Sequence, residues 1–124
     1  TGERRILANE QEVEALMQRL GFDVVDPQAL TAEEIAARTL DARIVISVEG
    51  SHISHVIYSM SDDATLLVLQ PPDRFSLAYK EYTDRMGMRF AFVVGEPHSD
   101  GFTVAPAQIE ATLDLAARSS AAVA

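Results

Sequence analysis

The chain contains no cysteine. That excludes disulfides, thiolate zinc sites and cysteine nucleophiles, and it fits a reducing, cytoplasmic setting. No apolar run approaches the roughly 18 residues of a membrane span. No charged-then-apolar leader opens the sequence either, so neither a span nor secretion is expected. Basic residues are scarce: 10 lysines and arginines face 19 aspartates and glutamates, a formal charge of −9. Such a chain lacks the basic face that displaces counterions from nucleic acid, and no nucleic-acid partner is expected. A small anionic ligand remains compatible, because helix N-termini and one or two arginines make a local positive site. Internal repeats, low-complexity blocks, a serine elbow, a Walker loop and a GxGxxG stretch are all missing.

What is present suits one α/β domain. The 124 residues, 48% of them hydrophobic, are enough to bury a real core. Asn9-Glu10-Gln11-Glu12 has the form of a capping box, followed at helical spacing by Val13, Leu16, Met17 and Leu20, with Gly21 as the stop. Phe22–Val25 reads as a short strand closed by Asp26-Pro27. Thr31-Ala32-Glu33-Glu34 is a second capping box, opening a helix to about Leu40. Ala42–Val48 is the clearest strand, and Ser51–Met60 reads as the helix after it. Thr65–Leu69 is another apolar strand, Arg74–Met86 a helix, Met88–Val94 a strand, Gly95–Phe102 a polar loop, and Pro106 a helix start.

Apolar strands alternating with helices predict a three-layer, Rossmann-like domain over residues 1–118, on a parallel sheet of about four strands. Val45, Val68 and Val93 are expected inside, and Ser119–Ala124 as a frayed tail. The chain opens on a helix, with an arginine pair where a strand-to-helix loop normally stands. That pattern suggests one part of a longer, two-domain protein.

Ligands of open parallel sheets sit at the carboxyl ends of strands. The junction Val48-Glu49-Gly50-Ser51-His52 is such a place. Gly50 would allow a positive φ or a close backbone approach, and Ser51 would cap the next helix. The N–H groups that follow favour an anion such as phosphate, and His52 adds a donor to phosphate or a face for a base. Glu49 is repulsive to phosphate, but could accept from sugar hydroxyls or hold His52 in one tautomer. Glu49 and His52 are therefore the catalytic candidates, against the plainer alternative of an ordinary strand-turn-helix.

Arg4 and Arg5 could grip phosphate through their guanidinium forks. Arg74, in Pro71-Pro72-Asp73-Arg74-Phe75, leaves another strand end and could line the same cleft. His52 and His55 share a helix face, yet HxxH without a further ligand is a poor metal site, so neither metal nor cofactor is expected. Glu96, His98, Ser99 and Asp100 loosely resemble an acid/base set, although loops are usually polar.

Residues 4–27 (RRILANEQEVEALMQRLGFDVVDP), 42–58 (ARIVISVEGSHISHVIY) and 66–75 (LLVLQPPDRF) together resemble the C-terminal half of glycosyltransferase family 61 proteins. These include bacterial capsular polysaccharide biosynthesis proteins. The family pattern runs Arg-Arg-x-x-x-Asn-Glu, a helix, Gly-Phe-x-Val-Val-x-Pro, then a strand ending in a glycine-rich turn. The resemblance extends from Arg4 to about Val94. It implies the nucleotide-sugar half of a GT-B-like transferase, with Arg4 and Arg5 facing the donor diphosphate and Gly50 and Ser51 in the glycine turn. Many members carry Pro-His-Gly-Ala there; here Glu49 stands in place of the histidine, and His55 in place of an asparagine.

The expected partners are thus a nucleotide sugar, bound by Arg4, Arg5, Gly50, Ser51, His52 and Arg74, and a glycan acceptor held by another domain. The isolated chain would bind donor without transferring sugar. A non-catalytic α/β interaction module is the alternative, and oligomeric state is open.

Overall fold

The computed structural model describes residues 6–123, with side chains through Arg118. Arg4 and Arg5 lie outside the described residues. Three strands form the main sheet, β1 (Ile44–Val48), β2 (Thr65–Gln70) and β3 (Arg89–Val94), all parallel and in that spatial order. Central β2 is buried along its whole length. Its apolar residues alternate, Leu67 and Leu69 facing one cluster and Leu66 and Val68 another, as the two-residue strand period requires. Each such side chain contributes about 1.5–3 kcal/mol on burial.

The first face is covered by α1 (Glu10–Arg19) and α4 (Pro106–Val123), through Val13, Leu16, Met17 and Ile109. The second is covered by α2 (Ala32–Arg38), a 3-10 helix at Ser51–His55 and the flanks of α3 (Lys80–Arg85), through Ile35, Ile53, Val56 and Ile57. The result is the expected three-layer α/β arrangement. Val68 and Val93 are buried; Val45 is half-buried and Ile44 is 40% exposed, because β1 lies at the edge of the sheet.

The sheet has three strands rather than about four. Phe22–Val25 is extended but pairs with no strand among the described residues. Its first amide is taken by the end of α1, with Phe22 N–H donating to Met17 O at 2.9 Å. Asp23 faces outward to Arg38, 2.7 Å away. Two helices are also shorter than their apolar spacing predicted. Ser51–Met60 is one 3-10 helix followed by turns, and Arg74–Met86 is helical only from Lys80. Ile53, Val56, Ile57 and Met60 of the first stretch pack on the sheet without a continuous helical ladder, and Phe75 and Leu77 of the second are exposed, so spacing alone overstated the helix. In the other direction, α4 stays helical to Val123, across most of the stretch read as a frayed tail.

The two capping boxes part company. Thr31 Oγ1 accepts from Glu34 N–H at 3.1 Å while Thr31 N–H donates to Glu34 Oε2 at 3.3 Å, so the second box is made. Asn9 makes no side-chain cap. Its amide instead reaches across the chain: Nδ2 donates to Val104 O at 2.8 Å and Oδ1 accepts from Val104 N–H at 3.1 Å.

The polar stretch after β3 is a hairpin, β4 (Glu96–His98) against β5 (Gly101–Thr103), rather than a plain loop. Ile6–Ala8 runs beside β5, with Phe102 N–H donating to Ile6 O at 3.0 Å and Ala8 N–H to Phe102 O at 2.7 Å. Gly101 permits this, since a Cβ there would collide with the Ile6 carbonyl. The segment that follows the arginine pair is thereby fixed to β5, the second strand of the hairpin after β3.

Candidate functional site

Two backbone bonds assemble the carboxyl edge of the sheet. Glu49 N–H donates to Leu69 O at 3.1 Å, and Gly95 N–H donates to Gln70 O at 2.9 Å. The turn after β1 and the start of the hairpin after β3 are thus both secured to the end of β2. Glu49, Gly50, Ser51 and His52 stand at one strand end, Pro71–Phe75 at the next, and Glu96 and His98 at the third.

At the β1 turn the local reasons differ from those expected. Gly50 has φ 166°, which is extended backbone that any residue adopts, so no left-handed conformation explains it. Gly50 is buried, and it, not Ser51, is the residue preceding the helical turn. Ser51 makes no side-chain cap; its carbonyl accepts from Ser54 Oγ at 2.7 Å. The five-residue 3-10 helix is too short to supply a substantial helix dipole. Any anion here would be held by side chains and individual amides.

Glu49 is only 7% exposed, a carboxylate withdrawn behind the turn. His52 is half-buried, with Nε2 2.7 Å from Ser47 Oγ. Ser47 has one hydroxyl proton, which it donates to Val48 O at 2.9 Å. The Ser47 hydroxyl thus meets both Val48 O and His52 Nε2, which ties the imidazole to the end of β1. His55 is exposed on the same short helix. No three histidine or acidic side chains converge in a metal-holding cluster among the described residues.

The loop after β2 depends on Gln70. Its side chain is fully buried, donating from Nε2 to Ser76 O at 2.6 Å and accepting from Ser76 N–H at Oε1, 3.1 Å away. This pair of hydrogen bonds closes the loop that carries Arg74, whose backbone N–H donates to Pro71 O at 3.2 Å. Asp73 does not begin a helix; α3 starts only at Lys80. Arg74 is exposed, and Phe75 lies edge-on to Phe92 of β3, with centroids 5.0 Å apart. Glu96, His98, Ser99 and Asp100 are all exposed, and the Asp100 N–H donates to His98 Nδ1 at 3.1 Å.

Sequence reasoning placed its candidates at strand ends but did not anticipate the side-chain bonds of Ser47, Gln70 and Asn9. The available signals were a serine late in a β-branched strand and a glutamine ending an otherwise apolar one.

A family model for glycosyltransferase 61 matches residues 1–67 of the 124. The chain belongs to glycosyltransferase family 61. The matched stretch covers α1, α2, β1, the Glu49–His52 turn and the start of β2, and it ends before Gln70 and Arg74. No curated protein and no solved structure matches the chain. Membership supports sugar transfer between a donor and an acceptor. No helix among the described residues is long and apolar enough to cross a membrane.

Proposed function

We propose that this chain is the donor-binding, C-terminal half of a two-domain, GT-B-like family 61 glycosyltransferase, working in the bacterial cytoplasm on capsular or other surface polysaccharide. The observation that carries the proposal is the joining of all three strand ends to one edge through Glu49 N–H on Leu69 and Gly95 N–H on Gln70. Ligands of parallel α/β sheets collect at that edge. The donor is a nucleotide sugar, with Arg74, His52 and the amides of Gly50 and Ser51 contributing to the diphosphate site. Arg4 and Arg5 complete it.

In sugar transfer an acceptor hydroxyl attacks the anomeric carbon while the nucleoside diphosphate departs with its bonding electrons. Cationic and hydrogen-bonding groups assist by compensating the charge that grows on that diphosphate. His52 is the better candidate for direct contact, because Ser47 holds its ring at the strand end and the side chain is only half-buried. Glu49, withdrawn from solvent, suits positioning more than proton abstraction. Most of the acceptor site, and any further base, would come from the other domain. Without them the proximity that contributes roughly 7 kcal/mol or more to such reactions is lost.

Calorimetry with uridine and guanosine diphosphates tests the binding half, and a sugar-release assay the catalytic half. Weak, salt-sensitive nucleotide binding without transfer is expected, with Arg5→Ala weakening it most at low salt. Folded protein that binds neither nucleotide would favour the interaction module instead. Robust acceptor-dependent transfer would show that a complete active site lies within these residues.

A further inference from the structure

The chain contains three tyrosines and no tryptophan. All three tyrosines meet at one cavity of about 270 Å³, lined by Ser54, Ile57, Tyr58, Ala78, Tyr79 and Tyr82. Tyr82 lies edge-on to Tyr58, centroids 6.5 Å apart, and tilted against Tyr79 at 6.1 Å. Packing alone does not account for this gathering, since Tyr58 is 71% and Tyr82 47% exposed. The cavity opens between the 3-10 helix and the start of α3, and the Tyr79 hydroxyl reaches the Ser51 carbonyl at 3.5 Å. Ser54 is one 3-10 turn past Ser51, a rise of about 6 Å. The cleft therefore adjoins the turn assigned above to the donor.

We infer that this cleft binds a neutral sugar ring of the acceptor glycan. The choice of a saccharide rests on the glycosyl-transfer function proposed above. Among the described residues the cavity is lined by aromatic, apolar and hydroxyl groups, which suit an uncharged ring. Its volume falls just below the roughly 300–1,000 Å³ of drug-sized sites, room for one ring rather than an extended ligand. The lining pairs aromatic faces and an apolar floor, Ile57 and Ala78, with the hydroxyls of Ser54 and the tyrosines. A pyranose offers the complementary surface: C–H groups whose positive hydrogens favour the negative face of an aromatic ring, and a rim of hydroxyls. The Glu49–His52 turn would then hold the donor while the tyrosines hold the ring next to it.

Because the chain has no tryptophan, tyrosine emission comes from this cleft alone. Cellobiose, xylobiose and chitobiose are titrated into the whole chain while that emission is followed, with uridine and guanosine diphosphate affinities measured separately by calorimetry. At least one disaccharide is expected to change the emission saturably. Tyr82→Ala, and independently the more exposed Tyr58→Ala, should weaken that response at least fivefold with nucleotide affinity and circular dichroism unchanged. No saturable response to any of the three overturns the acceptor site, and retained nucleotide binding in that result leaves the donor proposal standing. Nucleotide affinity lost in Tyr82→Ala would make the cleft a base pocket instead. A dimer seen by sedimentation that Tyr82→Ala dissolves, without a sugar response, would make it a self-association surface.

Discussion

Two amides, Asn9 and Gln70, solve the same problem in the same way. Each holds the N–H and C=O of one distant residue with a donor and an acceptor from a single side chain, Asn9 on Val104 and Gln70 on Ser76. They differ in surroundings. Asn9 is half-buried at the start of α1, where water can take over its bonds, whereas Gln70 is completely buried at the end of the central strand. Truncation at Gln70 should therefore matter more, because it opens a void at the end of the central strand as well as freeing the Ser76 N–H and C=O. The comparison also separates fold from site. Asn9 secures the segment that follows the arginine pair, and Gln70 secures the loop bearing Arg74.

Gln70→Ala should give the largest effect. It strips both partners from Ser76 and leaves a void, a loss of about 2–4 kcal/mol in urea unfolding. Nucleotide affinity should fall with it, as the 71–77 loop is released. Asn9→Ala should cost less, about 1–2 kcal/mol, with unfolding cooperativity intact. Equal losses at the two positions would show that burial does not set the difference.

Ser47→Ala probes the turn in place of the clamps. It should cost about 1 kcal/mol. Long-range nitrogen–proton NMR should find His52 held in one tautomer in the wild type and mixed in the variant. An unchanged tautomer would mean that Ser47 does not orient the ring.

The smallest effect is expected at Glu10, beside Asn9. Burial, followed by repulsion from Glu14 and Asp26, raises its carboxyl above the usual range. The folded state thus holds that proton more tightly than the unfolded chain, so the ionised group opposes folding at neutral pH. Glu10→Gln should slightly stabilise the protein at pH 7, and the gain should vanish as pH falls below the ordinary carboxylate range. Because Glu10 is exposed overall, added salt should shrink the gain.

The sheet strands were legible because their signals are continuous: Thr65–Leu69 has no polar interruption, and burial on both faces follows from that. The Thr31 box was legible because its partners are three residues apart. Asn9 carried the same local pattern, but a bond to a residue 95 positions away took its side chain, and no local window contains that competitor. Phe22–Val25 looked like a strand because extended residues packed beside a core share a strand's composition; only a neighbour's hydrogen bonds would have made it one. Glu49, Gly50 and His52 were visible at the candidate site because their residue types are unusual beside a β-branched run. Gln70 was not, since a glutamine before two prolines reads as punctuation until its burial is known. The tyrosine cleft was hidden for a similar reason, with Tyr58 separated from Tyr79 and Tyr82 by a whole strand.

The most direct test of the central claim, a donor site at the carboxyl edge of the sheet, is an amide NMR titration of the chain with uridine and guanosine diphosphates. For at least one nucleotide, saturable shifts should concentrate at Glu49–His52, Gln70 with the 73–76 loop, and Gly95–His98. Shifts confined to other surfaces, or no shifts from either nucleotide in a folded sample, would contradict it.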